Sequence, residues 1–381
     1  MTSLRTRAAA VIGSAKILAM QAVLSGLHAS GLARRLAPRT RGRGVIFTLH
    51  SVDPARPRAF DPNGILRVTP DFLEQAIKVA LEEGYEIVSL DEAACRLQAP
   101  PVAGERPFAC FTFDDGYRDN RDFAYPIFKR YGVPMAIYVP SAYLDGDGDL
   151  WWLVLEEAVK RASRIEVEIA GAAYAFVTQT AAEKTVAFHK VYWALRRLPE
   201  REMRAKVQEI AAAAGFDAAG LCRDLVMSWD EVRALAQDPL VTIAAHTVNH
   251  LAIAKLPADE ARREIAESVR RVKEELGQPC RHFSFPYGDA TSAGARDFEI
   301  ARSLGLVTAV TTHKDVIQAG DHDLCGLPRV SLNGNFQKSR YVRVFLSGAP
   351  FALVRLLKQV KARLKGQPQR QPAPAVQTAT G

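Results

Sequence analysis

No C-x-x-C pair occurs in this sequence, and its five cysteines (Cys95, Cys110, Cys222, Cys280 and Cys325) are odd in number and scattered. Neither a disulfide framework nor a thiolate metal site is expected from such spacing. Also missing is an uninterrupted apolar run of the ~18 residues that a membrane-spanning helix needs. The nearest approach, residues 8–33, is broken by Lys16, Gln21 and His28. Arg5 and Arg7 ahead of it invite a signal-peptide reading, yet no small-residue cleavage site stands out. An amphipathic helix is the preferred reading, with secretion by a degenerate signal as the second choice. Acidic residues are absent from both ends. Residues 1–43 hold eight Lys/Arg and residues 336–381 hold nine, so 33 of the 50 basic residues are left to face all 42 acidic ones in the middle. The body is acidic and the ends are basic.

What is present fits a globular chain. With 381 residues and 48% of them hydrophobic, one large core or two ordinary ones can be buried. From residue 44 short apolar runs alternate with helical patterns, the signature of βα units around a mostly parallel sheet. Strands are expected at 45–49, 87–90, 108–113, 134–139, 241–245, 282–285 and 306–310. Thr69 caps a helix with Pro70 at its first position and Gly84 as its stop. A long helix from Ala258 carries Ala261, Ile265, Val269, Val272 and Leu276 on one face and ends at Gly277. Residues 145–225 break the rhythm with three helical patterns and a hairpin-like run at 165–177, as an insertion would. Its Trp151, Trp152, Tyr192 and Trp193 read as core packing.

The chemistry lies at strand ends. Phe111-Thr112-Phe113-Asp114-Asp115-Gly116 sets two adjacent carboxylates after an apolar strand. Side chains alternate along a strand, so both acids share one site only where the backbone is turning away. One carboxylate can then bind a cation that keeps its neighbour ionised as a base. His246-Thr247-Val248-Asn249-His250 follows the next strand but one. On a helical turn that i, i+4 spacing brings both rings within reach of one metal at ~2.0–2.1 Å. Zincin proteases need Glu directly after the first His, and here Thr247 stands there. Either motif alone has an ordinary reading as a turn or as surface histidines. Together Asp115, His246 and His250 make three N/O ligands with open positions, as in a catalytic rather than a structural site. All three fall on the rim where parallel barrels gather their chemistry.

With these motifs the sequence resembles the polysaccharide deacetylases of carbohydrate esterase family 4, the NodB-homology group. T-F-D-D-G at 112–116 and H-T-x-x-H at 246–250 look like that family's first two motifs, and Phe285-Pro286-Tyr287-Gly288 like its third. The stretches at 229–232, 264–265 and 327–330 match the style of its bacterial members. The resemblance covers roughly 44–335 without the insertion. It implies an irregular (β/α) barrel of the NodB-homology type with a mainly helical insertion. The implied reaction is removal of N-acetyl groups from a GlcNAc-type polysaccharide, oligosaccharide or lipid-linked glycan. Asp114 is implied as general base, with Asp115, His246 and His250 binding a divalent metal, zinc by preference. The Tyr287 backbone N–H is implied as an oxyanion donor. O-acetyl ester hydrolysis and a non-catalytic glycan-binding scaffold are the alternatives.

Two family features are missing. The third motif there usually begins with Arg two positions before the Pro, and here that residue is Ser284. The late Leu-x-His acid motif is absent. Arg329 is the expected partner of the base. His50, at the end of the first strand, is the expected proton donor, with His313 as the second choice. For the ends, solvated tails compete with attraction to an anionic membrane at roughly 1 kcal/mol per basic residue close to it. Leu353, Leu357, Val360 and Leu364 fall on one helical face, which favours a peripheral position at the inner membrane face of the cytoplasm. A basic amphipathic helix is therefore expected over 336–365, with a disordered tail beyond. No nucleic-acid partner is expected.

Overall fold

The computed structural model describes residues 2–55, 57–320 and 323–364, with side chains from 15 to 362. Eight strands form the main sheet. Seven run in the order Thr308–Val310, His282–Ser284, Val241–Ala245, Met135–Val139, Phe108–Phe113, Gly44–Leu49, Val330–Ser331, and Glu86–Ile87 pairs with Phe108–Phe113. Every pairing in it is parallel. Gly44–Leu49 and Phe108–Phe113 are buried along their whole length, which their unbroken apolar runs require of strands covered on both faces. The sheet curls until one segment ties its two ends together. Leu327 C=O accepts from Thr311 N–H at 2.9 Å, Arg329 N–H donates to His313 C=O at 2.9 Å, and Leu332 N–H donates to Thr48 C=O at 3.0 Å. Arg329 thus sits in the seam of the barrel and is fully buried.

Helix signals in the sequence are met locally. Thr69 Oγ1 accepts the Phe72 N–H at 3.2 Å above the helix Pro70–Glu82, and Gly277 ends the helix Ala258–Leu276 at φ 67°. The strand expected at 87–90 stops at Ile87, because Ser89 caps the helix Leu90–Gln98 instead. The insertion contains the helices Trp151–Arg161, Ala181–Leu195 and Glu200–Ala213 and the hairpin Arg164–Ile169 with Ala172–Val177.

The ends differ from the sequence reading in one respect. Residues 336–365 are not one exposed amphipathic helix. Ser339–Leu346 buries Tyr341, Val342, Val344, Phe345 and Leu346, and only the second helix, Ala349–Leu364, projects outward. Gly348 makes the break, at φ 69°. A Cβ there would lie 1.9 Å from the Thr40 carbonyl oxygen, so only glycine lets the two termini meet. Thr40 Oγ1 adds a bond to Ser347 C=O at 2.6 Å. The helix Thr2–Ala29 also docks, burying Leu24 and donating from Gln21 Nε2 to Asn335 C=O at 2.7 Å. The tail at 366–381 lies outside the described residues.

Candidate active site

Four of the five non-glycine residues with positive φ among the described residues stand in the three motif turns: Asp115 (74°), Thr247 (65°), His250 (55°) and Tyr287 (61°). Such backbone costs of order 1–3 kcal/mol per residue and persists where surrounding structure enforces it. It also corrects the expected local geometry. His246 and His250 do not share a helical turn. They flank a left-handed bend that starts where the strand Val241–Ala245 stops. The bend turns both rings inward, their centroids 5.0 Å apart.

Asp115 Oδ1 lies 3.3 Å from His250 Nε2 and 3.6 Å from His246 Nε2, and one ligand atom from each of the three residues falls within 4.8 Å of the others. Ligands held ~2.0–2.1 Å from one tetrahedral centre stand ~3.3–3.4 Å apart, so the spacing fits a small divalent ion. The Asp115 oxygen is buried without a hydrogen-bond donor, an unmet charge that a cation satisfies. His246 Nδ1 is 2.6 Å from the Ser284 carbonyl, which only accepts, so Nδ1 carries the proton and Nε2 offers its lone pair. Burial lowers the His246 pKa to about 4 despite the pull of Asp114, which keeps the ring neutral for a metal. Burial alone would raise the Asp115 carboxyl. The His250 ring beside it, with His50 and His246 nearby, holds it below the usual carboxylate range instead.

Asp114 faces a different partner. Arg329 Nη1 donates to its Oδ1 at 2.8 Å and Nη2 to its Oδ2 at 2.6 Å, a buried bidentate pair. Arg329 also donates to Ser284 Oγ at 2.9 Å, Thr112 Oγ1 at 3.2 Å and the Thr311 carbonyl at 2.9 Å. Burial pushes the Asp114 carboxyl up, but the Arg329 charge and hydrogen bonds outweigh it and hold the group well below its ordinary value. The short Ser284 side chain leaves the room that this guanidinium fills. The expected pairing of Asp114 with Arg329 is therefore present as geometry, delivered from the barrel seam.

A cavity of about 320 Å³ opens over these groups, lined by His50, Asp114, Asp115, His246, His250 and Tyr287. Its other wall belongs to the insertion: Trp152, Phe188, His189, Tyr192 and Trp193. Trp193 is 59% exposed at this wall, so the reading of all four aromatics as core fails for it, while Trp151 and Trp152 are buried. Phe188 and His189 were absent from the sequence reading. Their only signal is their place one turn before Tyr192 and Trp193 on the helix Ala181–Leu195. Tyr287 is fixed from both sides, its hydroxyl accepting from Trp151 Nε1 at 2.7 Å and its ring lying 3.7 Å from the Arg196 guanidinium. Its main-chain N–H has no acceptor among the described residues. Gly288 follows at φ 60°, where a Cβ would meet Thr312 N at 2.6 Å. His313 is exposed and stands outside the cavity, which removes it as a proton donor there.

A family model described as polysaccharide deacetylase matches residues 102–309, more than half of the chain. The chain belongs to the polysaccharide deacetylase family. Bacillus subtilis YxkH, whose name assigns it provisionally to these deacetylases, is 35% identical over 74 residues. That match spans 19% of this chain and 26% of YxkH, so it covers only about a quarter of that relative's length. Among solved structures, the deacetylase PplD of Streptococcus pyogenes superposes with a TM-score of 0.51 at 18% identity, over 77% of this chain and 93% of its own. IcaB from Ammonifex degensii gives 0.50 at 17%, over 80% and 98%. These two share the curled parallel barrel with this chain. His50 and Arg329 both lie outside the residues that the family model matches.

In this deacetylase-family barrel one further residue shapes the ligand turn. Glu264 Oε2 accepts the main-chain N–H groups of Val248 and Asn249 at 3.0 Å each, and its Oε1 accepts from Asn249 Nδ2 at 2.7 Å. Arg204, from the insertion, holds the other end through the carbonyls of Asn249 (2.9 Å) and His250 (3.2 Å). Glu264→Ala strands two main-chain donors as well as the Asn249 side-chain amide and is expected to cost about 2–3 kcal/mol of stability. It is also expected to weaken metal binding by about 10–100-fold. Denaturant unfolding and a zinc titration check this, and unchanged affinity would show that the bend holds without Glu264.

Proposed function

We propose that this chain is a metal-dependent hydrolase that removes N-acetyl groups from a GlcNAc-type glycan. The observation that carries the proposal is the meeting of an ionised, arginine-held Asp114 with the Asp115, His246 and His250 ligand set at the floor of one open cavity. Asp115, His246 and His250 would hold a divalent ion, and their one-carboxylate, two-imidazole set suits zinc. A bound ion of this kind polarises an amide carbonyl and lowers the pKa of water toward ~7.

The protein's own groups supply the rest. Asp114 takes a proton from the attacking water, and Arg329 keeps it charged and aimed while its remaining lone pairs stay open. The free N–H of Tyr287 donates to the carbonyl oxygen as negative charge gathers on it. Collapse breaks the C–N bond, leaving acetate and a free amine, and the departing nitrogen needs a proton. His50 lines the cavity at the end of the strand that pairs with the one leading into Asp114 and Asp115, and it is the donor assigned here.

Acetate release from N-acetylated chito-oligosaccharides, run beside acetyl-xylan, tests the substrate. Release from the amide substrate is expected, with His50→Gln slower by about 10²-fold. Release from acetyl-xylan alone would assign the site to ester hydrolysis, and tight glycan binding with no release from either would assign it to a scaffold.

A further inference from the structure

The last described helix, Ala349–Leu364, presents an apolar stripe to solvent. At about 100° per residue Leu353, Leu356, Leu357 and Val360 fall within one arc, and each is 44–55% exposed. Isolated exposed leucines need no explanation, but four on one helical face do. Lys361 borders the stripe, and Lys358 lies farther round the helix. The helix Leu32–Thr40 packs against it and exposes Leu32, Arg35 and Arg39 on one of its own faces, with Arg34 exposed on another.

Charge distinguishes this surface from an ordinary solvated one. The body neutralises Arg43, Arg343 and Arg355 of these segments through Glu105, Glu82, Glu83 and Asp315. Arg34, Arg35, Arg39, Lys358 and Lys361 make no ion pair among the described residues. No acid occurs anywhere in residues 1–43 or 336–381 to repel an anionic partner. A stripe of leucines flanked by unpaired cations on an otherwise acidic protein has the composition of an interfacial helix. Among the described residues no helix is long and apolar enough to cross a membrane.

We propose that the paired helices Leu32–Thr40 and Ala349–Leu364 form a docking surface for an anionic lipid bilayer, with the leucine stripe entering the headgroup region, Arg35, Arg39 and Lys361 meeting lipid phosphates, and Arg34 and Lys358 adding positive charge farther round the two helices. A groove lined by Ile17, Arg58, Pro62, Ile65, His189 and Asn335 shares three of these residues with the candidate active-site cavity and runs from it to the N-terminal helix. A lipid-carried acetylated glycan is the substrate form that such an arrangement serves. That last step rests on the deacetylase reading, whereas the docking does not.

The test is sedimentation of the full chain with vesicles of phosphatidylcholine alone or mixed with phosphatidylglycerol. Binding to the mixed vesicles only is expected, with release as salt rises from about 0.1 M to about 1 M and the Debye length shrinks from about 10 Å to about 3 Å. Joint Arg35→Glu, Arg39→Glu, Lys358→Glu and Lys361→Glu substitution is expected to lower partitioning at least ~100-fold. Leu353→Gln with Leu357→Gln is expected to lower it as well, and both variants should match the parent chain in thermal unfolding and on soluble chito-oligosaccharide. Absence of vesicle binding, or variants that bind like the parent, would overturn the proposal. So would a concentration-dependent dimer that Leu353→Gln with Leu357→Gln abolishes, since the face would then belong to a second copy. Vesicle binding as expected without acetate release from any substrate would overturn the deacetylase reading alone.

Discussion

Asp114→Asn is expected to lower kcat/KM for acetate release by about 10²–10⁴-fold, the range that a positioned general base contributes. The substitution keeps the shape and removes the charge and the basic lone pair. Bound metal should remain, because Asp114 is turned toward Arg329 and Ser284 while the three-atom ligand cluster is built from Asp115, His246 and His250. Metal analysis of the folded variant beside its kinetics separates the two carboxylates. Loss of metal together with activity would make Asp114 a ligand, and unchanged activity would remove it from the mechanism.

Arg329→Met is the second large effect, and it falls on stability. Removing one partner of a buried ion pair leaves the other charge stranded, at a cost of about 3–5 kcal/mol. Asp114 is 3% and Arg329 0% exposed, so neither recovers solvent in the variant. Burial then acts on Asp114 without its main opponent and drives its pKa up, so activity should fall at lower pH where the parent chain is still active. In the parent chain the folded-state pKa of Asp114 is depressed. Its contribution to stability is therefore full above the unfolded carboxylate value of about 4 and lost as pH falls below it. The double variant Asp114→Asn, Arg329→Met should regain most of the lost stability and none of the activity. Urea unfolding of the three variants measures this, and a cost below about 1 kcal/mol for Arg329→Met would mean that the pair is not buried in solution.

The contrast between these two residues shows what the sequence could and could not carry. The Asp114-Asp115 and His246/His250 motifs are local, and each sits where an apolar run ends, so the strand pattern alone brought them to one rim. Arg329 was reached by elimination, because Ser284 stands where an arginine was expected. Its placement depends on the seam that joins the two ends of the sheet, 215 residues along the chain from Asp114, and no periodicity encodes that. The left-handed bends at Asp115, Thr247, His250 and Tyr287 were likewise hidden, since Thr and Tyr give no sign of positive φ and Asp and His adopt it only as a minority conformation. An i, i+4 spacing therefore suggested a helical turn where Glu264 and Arg204 pin an irregular one.

The insertion was legible as elements and not as a wall. Its helices have clear periods, but which face of Ala181–Leu195 meets the cavity depends on how the insertion packs back on the barrel. Trp193, Phe188 and His189 gained their position that way. The C-terminal segment shows the same limit. Its hydrophobic pattern was clear, yet the close approach of Gly348 to Thr40 divides it into a buried helix and an exposed one.

Metal content and turnover measured on the same preparation bear most directly on the site. The purified chain should hold about one divalent ion, as a three-ligand site with open positions does. Removing the ion with a chelator should abolish acetate release from chito-oligosaccharide, and adding zinc should restore it. His246→Ala should lower both metal content and turnover. A chain that binds no divalent ion and releases acetate at an undiminished rate after chelation would contradict the assignment of Asp115, His246 and His250.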